Sequence, residues 1–212
     1  MARPQVDMEV TKAKLLETCE DMIRERGAVS FTMTDIAQAA GMSQSNAYRF
    51  FASKDELAEA MAGRWFEELT VMMEDVVASD LPARDKMYQF FARRLELKHQ
   101  RLNEDPSLFA AYMELGDEHF EVVRGYIDLA DHYMATIIAE AMEEGHFKGL
   151  EIDETVSLIN TMVQPFCNPT LMMQLHTLAN TEKLAMVIDT IFRGLHRDGD
   201  TRVFTPELRQ VS

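Results

Sequence analysis

The 212-residue sequence has few cysteines, glycines and prolines, a single tryptophan, and no long uninterrupted apolar run. Its two cysteines, Cys19 and Cys167, lie far apart in apolar patterns, which favours reduced core thiols over a disulfide or half of a metal site. No window approaches the roughly 18 uncharged apolar residues that a membrane span needs, and no apolar stretch follows the N-terminal Arg3. We therefore expect a cytoplasmic globular protein with a sizeable core.

Basic residues are also scarce, since 21 Lys and Arg face 36 Asp and Glu, a formal net charge of -15. Residues 1–55 hold seven basic and eight acidic residues, a net charge of -1, whereas the remainder holds 14 and 28, a net charge of -14. An acidic body held away from a polyanion is screened over a Debye length of about 8 Å at physiological salt. This distribution permits contact with nucleic acid through the first 55 residues but does not establish it.

Nearly every segment has helical periodicity, and the breaks carry Gly, Pro or capping residues, which predicts an all-α fold. We expect the first helix from about residue 9 to Arg26, with Gly27 as its stop. Three N-caps then follow in quick succession, at Thr32, Ser43 and Ser53. Closely spaced caps predict two short helices, the second with two turns over QSNAYRFF. Such short helices are marginal alone and must be held by packing.

The two short helices are separated by Gly41, and the residues around this glycine are small or apolar. Such a pattern predicts a helix-turn-helix, in which glycine adopts the positive φ of the turn and small residues let the helices cross closely. The second helix is then the one that enters the major groove of DNA. The apolar positions expected beneath the turn are Ile36, Ala37, Ala40, Met42, Ala47, Phe50 and Phe51.

The polar side chains of this segment are suited to DNA. Gln44, Ser45 and Asn46 occupy the first turn of the second helix, from which Asn and Gln can pair with base edges. Other side chains are placed to reach phosphates or the flanking strand. These candidates are Thr32, Thr34, Ser43, Tyr48, Arg49 and Lys54. The alternative is that the polar run is simply a solvated helix face between caps.

Residues 25–57, ERGAVSFTMTDIAQAAGMSQSNAYRFFASKDEL, resemble the DNA-binding domain of the TetR family of bacterial transcriptional regulators. The resemblance is carried by the spacing of Gly27, Thr32, DIA, AAG, Ser43, Tyr48, Phe51, Lys54 and Leu57. It implies base or near-base contacts by Thr34, Gln44, Ser45 and Asn46, and phosphate contacts by Tyr48 and Lys54.

Two positions depart from the pattern of the resembled family. Ala47 stands where a larger aliphatic residue is usual, which implies a different seating of the recognition helix. Phe50 stands where a polar aromatic residue is common, which leaves Arg49 as the phosphate donor in that turn.

We predict a helix-turn-helix DNA-binding domain at residues 1–54, a helical effector-binding and dimerisation domain at 55–197, and a tail at 198–212. The resemblance implies a cavity for a small-molecule effector among the helices of the second domain. Its apolar and aromatic candidates, each of which could equally be an ordinary core residue, are Phe91, Leu95, Tyr112, Met113, Val123, Tyr126, Phe166, Met172, Met173 and His176.

Two apolar stripes with helical spacing lie near the end of the chain, and the motif QPFCNP is expected to break the first of these helices. The stripes could face the core of their own domain. The resemblance implies instead that paired C-terminal helices form a homodimer, as a two-fold symmetric reader of a palindromic operator requires. The interface candidates are Val156, Ile159, Val163, Leu184, Val187, Ile188, Ile191, Phe192 and Leu195.

The resemblance implies a ligand-responsive transcriptional regulator of double-stranded DNA, a repressor released by an effector, rather than an enzyme, and without cofactors. Two other classes stay open: an acidic helical metal-binding protein or enzyme, and a helical adaptor that binds only protein. Asp128 with His132, and the acidic run near His119, offer metal-ligand chemistry but also suit helix capping and solvation. The repeated Glu-x-x-His of a carboxylate-bridged metal bundle is missing, as is any catalytic-triad context. We expect no metal site.

Overall fold

The computed structural model describes residues 4–26, 31–175 and 177–196, with side chains described from residue 8 onward. The predicted all-α fold is confirmed. Within the described ranges the helices are α1 (Pro4–Arg26), α2 (Met33–Ala39), α3 (Gln44–Ala47), α4 (Lys54–Val77), α5 (Ala83–Glu104), α6 (Pro106–Glu118), α7 (Phe120–Glu143), α8 (Ile152–Cys167), α9 (Pro169–Gln174) and α10 (Thr181–Gly194). Gly27, His176 and the predicted tail lie outside these ranges. None of the helices described is both long and apolar enough to cross a membrane.

The chain forms two compact units, each made of two separate segments. Unit 1 comprises Met1–Asp75 and Arg93–Ala130, and unit 2 comprises Val76–Ala92 and Asp131–Ser212. Residue 54, where we predicted a boundary between functional domains, lies inside the first segment of unit 1. That boundary therefore remains a prediction about function and does not coincide with the division by packing.

The core of unit 1 forms around the buried face of α1. Leu15, Cys19 and Ile23 are each at most 1% exposed, and their spacing places them on one side of the helix, which packs against α2 and α6. Burial raises the pKa of the Cys19 thiol to about 12, so this thiol stays protonated at neutral pH. Cys19 is thus the buried core thiol that the sequence predicts, whereas the thiol of Cys167 is only half-buried.

Side-chain caps begin the three helices α2, α3 and α4. Thr32 accepts a hydrogen bond from the Asp35 backbone N–H at 3.2 Å and donates its own N–H to the Asp35 carboxylate at 2.8 Å, a complete capping box. Ser43 accepts from the Asn46 N–H at 3.2 Å, and Ser53 accepts from the Glu56 N–H at 3.0 Å. The three predicted caps are confirmed.

The core of unit 2 includes the facing surfaces of α8 and α10. Ile159 and Val163 on α8, with Leu184 and Ile188 on α10, have no exposed surface. The predicted break at QPFCNP occurs later than expected, since α8 continues through Pro165 to Cys167. Because Pro165 lies in the last turn, its missing N–H costs the helix one bond only. Asn168 then caps α9 by accepting from the Leu171 N–H at 3.1 Å.

Thr32→Ala tests the cap of α2. Removing the hydroxyl leaves the Asp35 N–H without its side-chain acceptor, so we expect the free energy of unfolding to fall by about 1 kcal/mol. Urea denaturation followed by circular dichroism measures this. Thr34→Ala is the matched control, since Thr34 is exposed on the same helix and makes no cap bond. An equal loss in both variants would contradict a specific role for the cap.

Candidate functional site

The turn between α2 and α3 is closed by Gly41, which has φ of +70°. Its N–H donates to the Gln38 carbonyl at 3.1 Å, and the Met42 N–H donates to the Ala37 carbonyl at 2.9 Å. These two bonds are those of a Schellman motif, which favours glycine because other residues are strained at positive φ. The chain therefore leaves α2 and enters α3 through a turn with little freedom.

The helix α3 is shorter than predicted. We expected two turns over QSNAYRFF, whereas α3 spans Gln44–Ala47 and the chain continues through Tyr48 to Phe50 in turn conformation. Ala47 is fully buried and Phe51 is 2% exposed, so both ends of this segment are anchored in unit 1. The small side chain of Ala47 lets the backbone of α3 approach its neighbours closely.

The polar side chains predicted to face DNA are accessible, with Asn46 the least so. Its amide nitrogen lies 4.0 Å from the Met42 sulfur, a weak hydrogen bond that holds the side chain close to the turn. Tyr48 is 43% exposed although it is aromatic. The exposed members of the predicted set are Thr32, Thr34, Ser43, Gln44, Ser45, Tyr48, Arg49 and Lys54.

Two lysines flank this polar surface, and each lies over an aromatic ring. Lys54 Nζ is 5.7 Å from the ring centroid of Phe31, and Lys12 Nζ is 5.6 Å from that of Phe51. Such cation–π contacts restrain long side chains. Lys54 was predicted as a phosphate contact, but Lys12 was missed because it belongs to α1 and only the fold brings it beside Phe51. Nothing in its local sequence marks it.

Comparison with known proteins matches two family profiles. Residues 15–61 match "Bacterial regulatory proteins, tetR family", and residues 83–188 match "Tetracyclin repressor-like, C-terminal domain". The second match alone spans half of the chain. The chain belongs to the TetR family.

The relatives found by sequence are TetR-family regulators of moderate similarity. The chain is 31% identical over 132 residues to an uncharacterised HTH-type transcriptional regulator of Xanthobacter autotrophicus, covering 61% of this chain and 64% of that protein. It is 30% identical over 95 residues to the HTH-type transcriptional regulator SAR0097 of Staphylococcus aureus, covering 43% and 50%. The matches thus span between a half and two thirds of these relatives.

Solved structures share the TetR fold at low identity. SmeT, the repressor of a multidrug efflux pump of Stenotrophomonas maltophilia, has a TM-score of 0.65 at 19% identity, covering 96% of this chain and all of that one. NalD of Pseudomonas aeruginosa has a TM-score of 0.58 at 20% identity, covering 91% and 99%. These matches establish the fold and nothing finer.

Within unit 1, this TetR-family chain has a cleft of about 780 Å³ lined by α1, α4, α5 and α6. Trp65 of α4 forms its floor, with the Tyr112 ring 4.4 Å and the Phe109 ring 5.6 Å away between centroids. The Tyr112 hydroxyl donates to Glu20 of α1 at 2.7 Å. Burial raises the pKa of Tyr112 well above its usual range, and the nearby Glu20 carboxylate adds to this, so the hydroxyl keeps its proton.

Of the predicted effector-pocket residues, Tyr112 lines this cleft. The structure divides the predicted residues between the two units. Leu95, Tyr112, Met113, Val123 and Tyr126 belong to unit 1, while Phe91, Phe166, Met172 and Met173 belong to unit 2. Tyr126 stacks on Phe66 at 4.3 Å and Met173 is 38% exposed, whereas Phe91 and Leu95 are core residues. Their role in effector binding remains a prediction.

The predicted dimer-interface residues largely face their own chain. Ile159, Val163, Leu184, Ile188, Ile191 and Phe192 are buried in unit 2, and Val156, Val187 and Leu195 are half-buried. The periodicity correctly identified an apolar face, but that face is covered within the subunit, so a partner cannot reach its fully buried members. The apolar side chains left exposed on these helices are Leu158, Met162 and Met186.

Within the described residues, no three His, Cys, Asp or Glu side chains are grouped so that they could hold a metal ion. Several of the acidic side chains act as caps or form ion pairs. Asp105 caps α6 by accepting from the Leu108 N–H at 2.9 Å, and it accepts from Arg24 Nε at 2.8 Å. The Leu108 bond, with Arg24 as a further cause, holds the Asp105 pKa below its usual range.

Asp105→Asn tests this electrostatic contact through pH. A carboxyl whose pKa is lowered by folding stabilises the protein above its unfolded pKa of 3.8, and this contribution is lost as pH falls through the folded pKa. We therefore expect wild-type stability to decrease from about pH 5 towards pH 3. Asparagine keeps the cap but cannot titrate, so the variant should lose less stability over that interval. Identical pH profiles in urea denaturation would contradict this.

Proposed function

We propose that this protein is a DNA-binding transcriptional regulator that acts as a homodimer, most simply a repressor released from a palindromic operator by a small-molecule effector. The observation that carries the proposal is the exposed polar surface of α3 on a rigid turn. Gln44 and Ser45 lie in the first turn of a helix whose other face is anchored by the buried Ala47. Such a helix presents its N-terminal side chains to base edges in the major groove.

The charges around α3 support contact with the DNA backbone. Lys54, Arg49 and the missed Lys12 supply cations, and the Tyr48 hydroxyl supplies a neutral donor. The carboxylate of Asp35 is turned into the capping box of α2, where it accepts from the backbone and hydroxyl of Thr32. This acid, which precedes the recognition segment in the chain, is therefore occupied within its own helix. We propose phosphate contacts by Tyr48, Arg49, Lys54 and Lys12.

Effector responsiveness is supported by other members of the fold. SmeT has been solved with triclosan, and FadR of Thermus thermophilus with lauroyl-CoA. These ligands belong to those proteins, but they show that one helical fold accommodates different small molecules. Which effector the present protein binds depends on the residues that line its own clefts.

Tyr48→Phe and Lys54→Gln test the DNA surface. The first removes only a hydroxyl, and the second removes a charge while keeping a long polar side chain. With a labelled duplex from upstream of the protein's own gene, we expect each variant to bind about tenfold more weakly. Lys54→Gln should also reduce the slope of log affinity against log salt by about 1. Fluorescence anisotropy measures both quantities.

Lys148→Gln is the control, because Lys148 is an exposed lysine of unit 2 outside the α2–α3 surface. It should bind like the wild type. Gln44→Ala should differ again, by weakening binding to the operator more than binding to unrelated DNA. If the wild type bound no upstream DNA, the proposed function would fail; if the Tyr48 and Lys54 variants bound normally, only the site assignment would fail.

The proposed homodimer uses the exposed faces of α8 and α10, which pack on each other in unit 2. On α8 this face carries Leu158 and Met162, 37% and 39% exposed, and on α10 it carries Met186, 69% exposed. Ser157 and Thr161 beside them on α8, and Thr190 one turn after Met186 on α10, are exposed and uncharged. A second copy would cover this apolar and neutral surface, and an isologous contact would give the two-fold symmetry that a palindrome requires.

Met162→Glu with Met186→Glu tests the interface. On each subunit two new carboxylates would be buried in the interface, which costs desolvation energy, so we expect monomers and loss of operator binding. Ile127→Glu is the matched control, since Ile127 is 42% exposed on α7 in unit 1. Analytical ultracentrifugation reports the mass. If the double variant remained a dimer, the interface would not be formed by these faces of α8 and α10.

A further inference from the structure

The cleft of unit 1 has a size and a floor suited to a small organic ligand. Its volume of about 780 Å³ lies within the range of drug-sized binding sites. Trp65 is 8% exposed at the base, beside Phe109 and Tyr112, and Val71 is 53% exposed on the rim although it is aliphatic. An apolar body with some aromatic character would therefore find contact surface here.

The charges around the cleft favour a cation over an anion. Six carboxylates and four arginines line it among the described residues. Three of these arginines form ion pairs within unit 1: Arg24 with Asp105, Arg64 with Glu17, and Arg101 with Glu68. Arg93 also has an interaction partner. An incoming anion would have to displace a carboxylate that is already in place.

Two of the carboxylates, in contrast, are exposed and form no ion pair within the described residues. Glu67 and Asp75 are eight residues apart on α4, with Val71 midway between them, so all three lie on one face of the helix. This face combines two uncompensated negative charges with an exposed aliphatic side chain. Its chemistry complements a ligand with a positive charge on an apolar body.

The same cleft contacts the helix that packs against α2. Glu20 and Arg24 line it from α1. Glu20 accepts from the Tyr112 hydroxyl of α6, and Arg24 donates to Asp105, the N-cap of α6. Tyr112 therefore belongs both to the aromatic floor and to the junction between α1 and α6. A ligand packed on that floor would perturb the position of α1, which packs against α2 of the helix-turn-helix.

We propose that the cleft between α1, α4, α5 and α6 binds an amphipathic organic cation and transmits its occupancy to α2 through the Tyr112–Glu20 contact. The transmission to α2 rests on the proposed function, whereas the binding of the cation does not depend on it. The cleft is distinct from the group of apolar residues predicted from sequence, of which it contains Tyr112 only.

Trp65 supplies a direct probe, because it is the single tryptophan of the chain. Tetraphenylphosphonium and tetraphenylborate have nearly the same shape and opposite charges, so they separate apolar contact from electrostatics. Titration of the full-length protein with the cation should change Trp65 fluorescence saturably. The anion should bind about tenfold more weakly or not at all. Equal binding of both ions, or no saturable change with the cation, would overturn the proposal.

Glu67→Gln with Asp75→Asn tests the charge requirement. Both side chains are exposed, so the double variant should fold normally and bind tetraphenylphosphonium about tenfold more weakly. Glu59→Gln is the control, since Glu59 is an exposed acid of α4 outside the cleft, and it should bind like the wild type. Unchanged affinity in the double variant would overturn the assignment of these carboxylates.

The transmission from the cleft to α2 is tested by measuring DNA binding. Tetraphenylphosphonium should weaken DNA binding by the wild type, and DNA should weaken cation binding by the same factor. Tyr112→Phe keeps the ring but removes the bond to Glu20, so at a saturating concentration of the cation its DNA affinity should change less than that of the wild type. Cation binding without any effect on DNA affinity would overturn the coupling. If the protein bound no DNA, the proposed function would fail, while the Trp65 titration would still decide whether the cleft binds the cation.

Discussion

The candidate DNA-reading surface depends on one constraint, which is that a helix of a single turn cannot hold itself in place. Forming a single turn fixes the backbone of several residues for one hydrogen bond, so an isolated turn is unstable. In this protein α3 is held at its start by the Ser43 cap and the Gly41 turn, and at its end by the burial of Ala47 and Phe51. Every exposed polar side chain of the segment takes its position from those anchors.

Local bonds made by acidic side chains explain how a strongly acidic chain can carry a DNA-binding segment. Several carboxylates of unit 1 are committed to local bonds, such as Asp35 to Thr32 and Asp105 to Leu108 and Arg24. Near α3, Lys12 and Lys54 are each restrained over an aromatic ring. Net charge therefore says little about this surface, and the local arrangement of charges says much more.

The cleft of unit 1 has the opposite character, since its four arginines have interaction partners whereas two of its carboxylates form no ion pair with any residue that the structure describes. Its floor is formed by Trp65, Phe109 and Tyr112, which come from α4 and α6. Sequence analysis identified Tyr112 as a pocket candidate but overlooked Trp65, because these positions are far apart along the chain. Periodicity can locate the buried face of each helix, but it does not say which helices enclose an empty space.

The sequence by itself determined the all-α fold, the three caps, the glycine turn and the polar first turn of α3. These features depend on bonds between residues at most five apart, so local chemistry decides them. Tertiary structure alone decided which apolar side chains remain accessible, as the contrast between buried Ile159 and exposed Met162 on α8 shows. It also decided the position of Lys12 and the composition of the cleft, because these depend on which distant segments pack together.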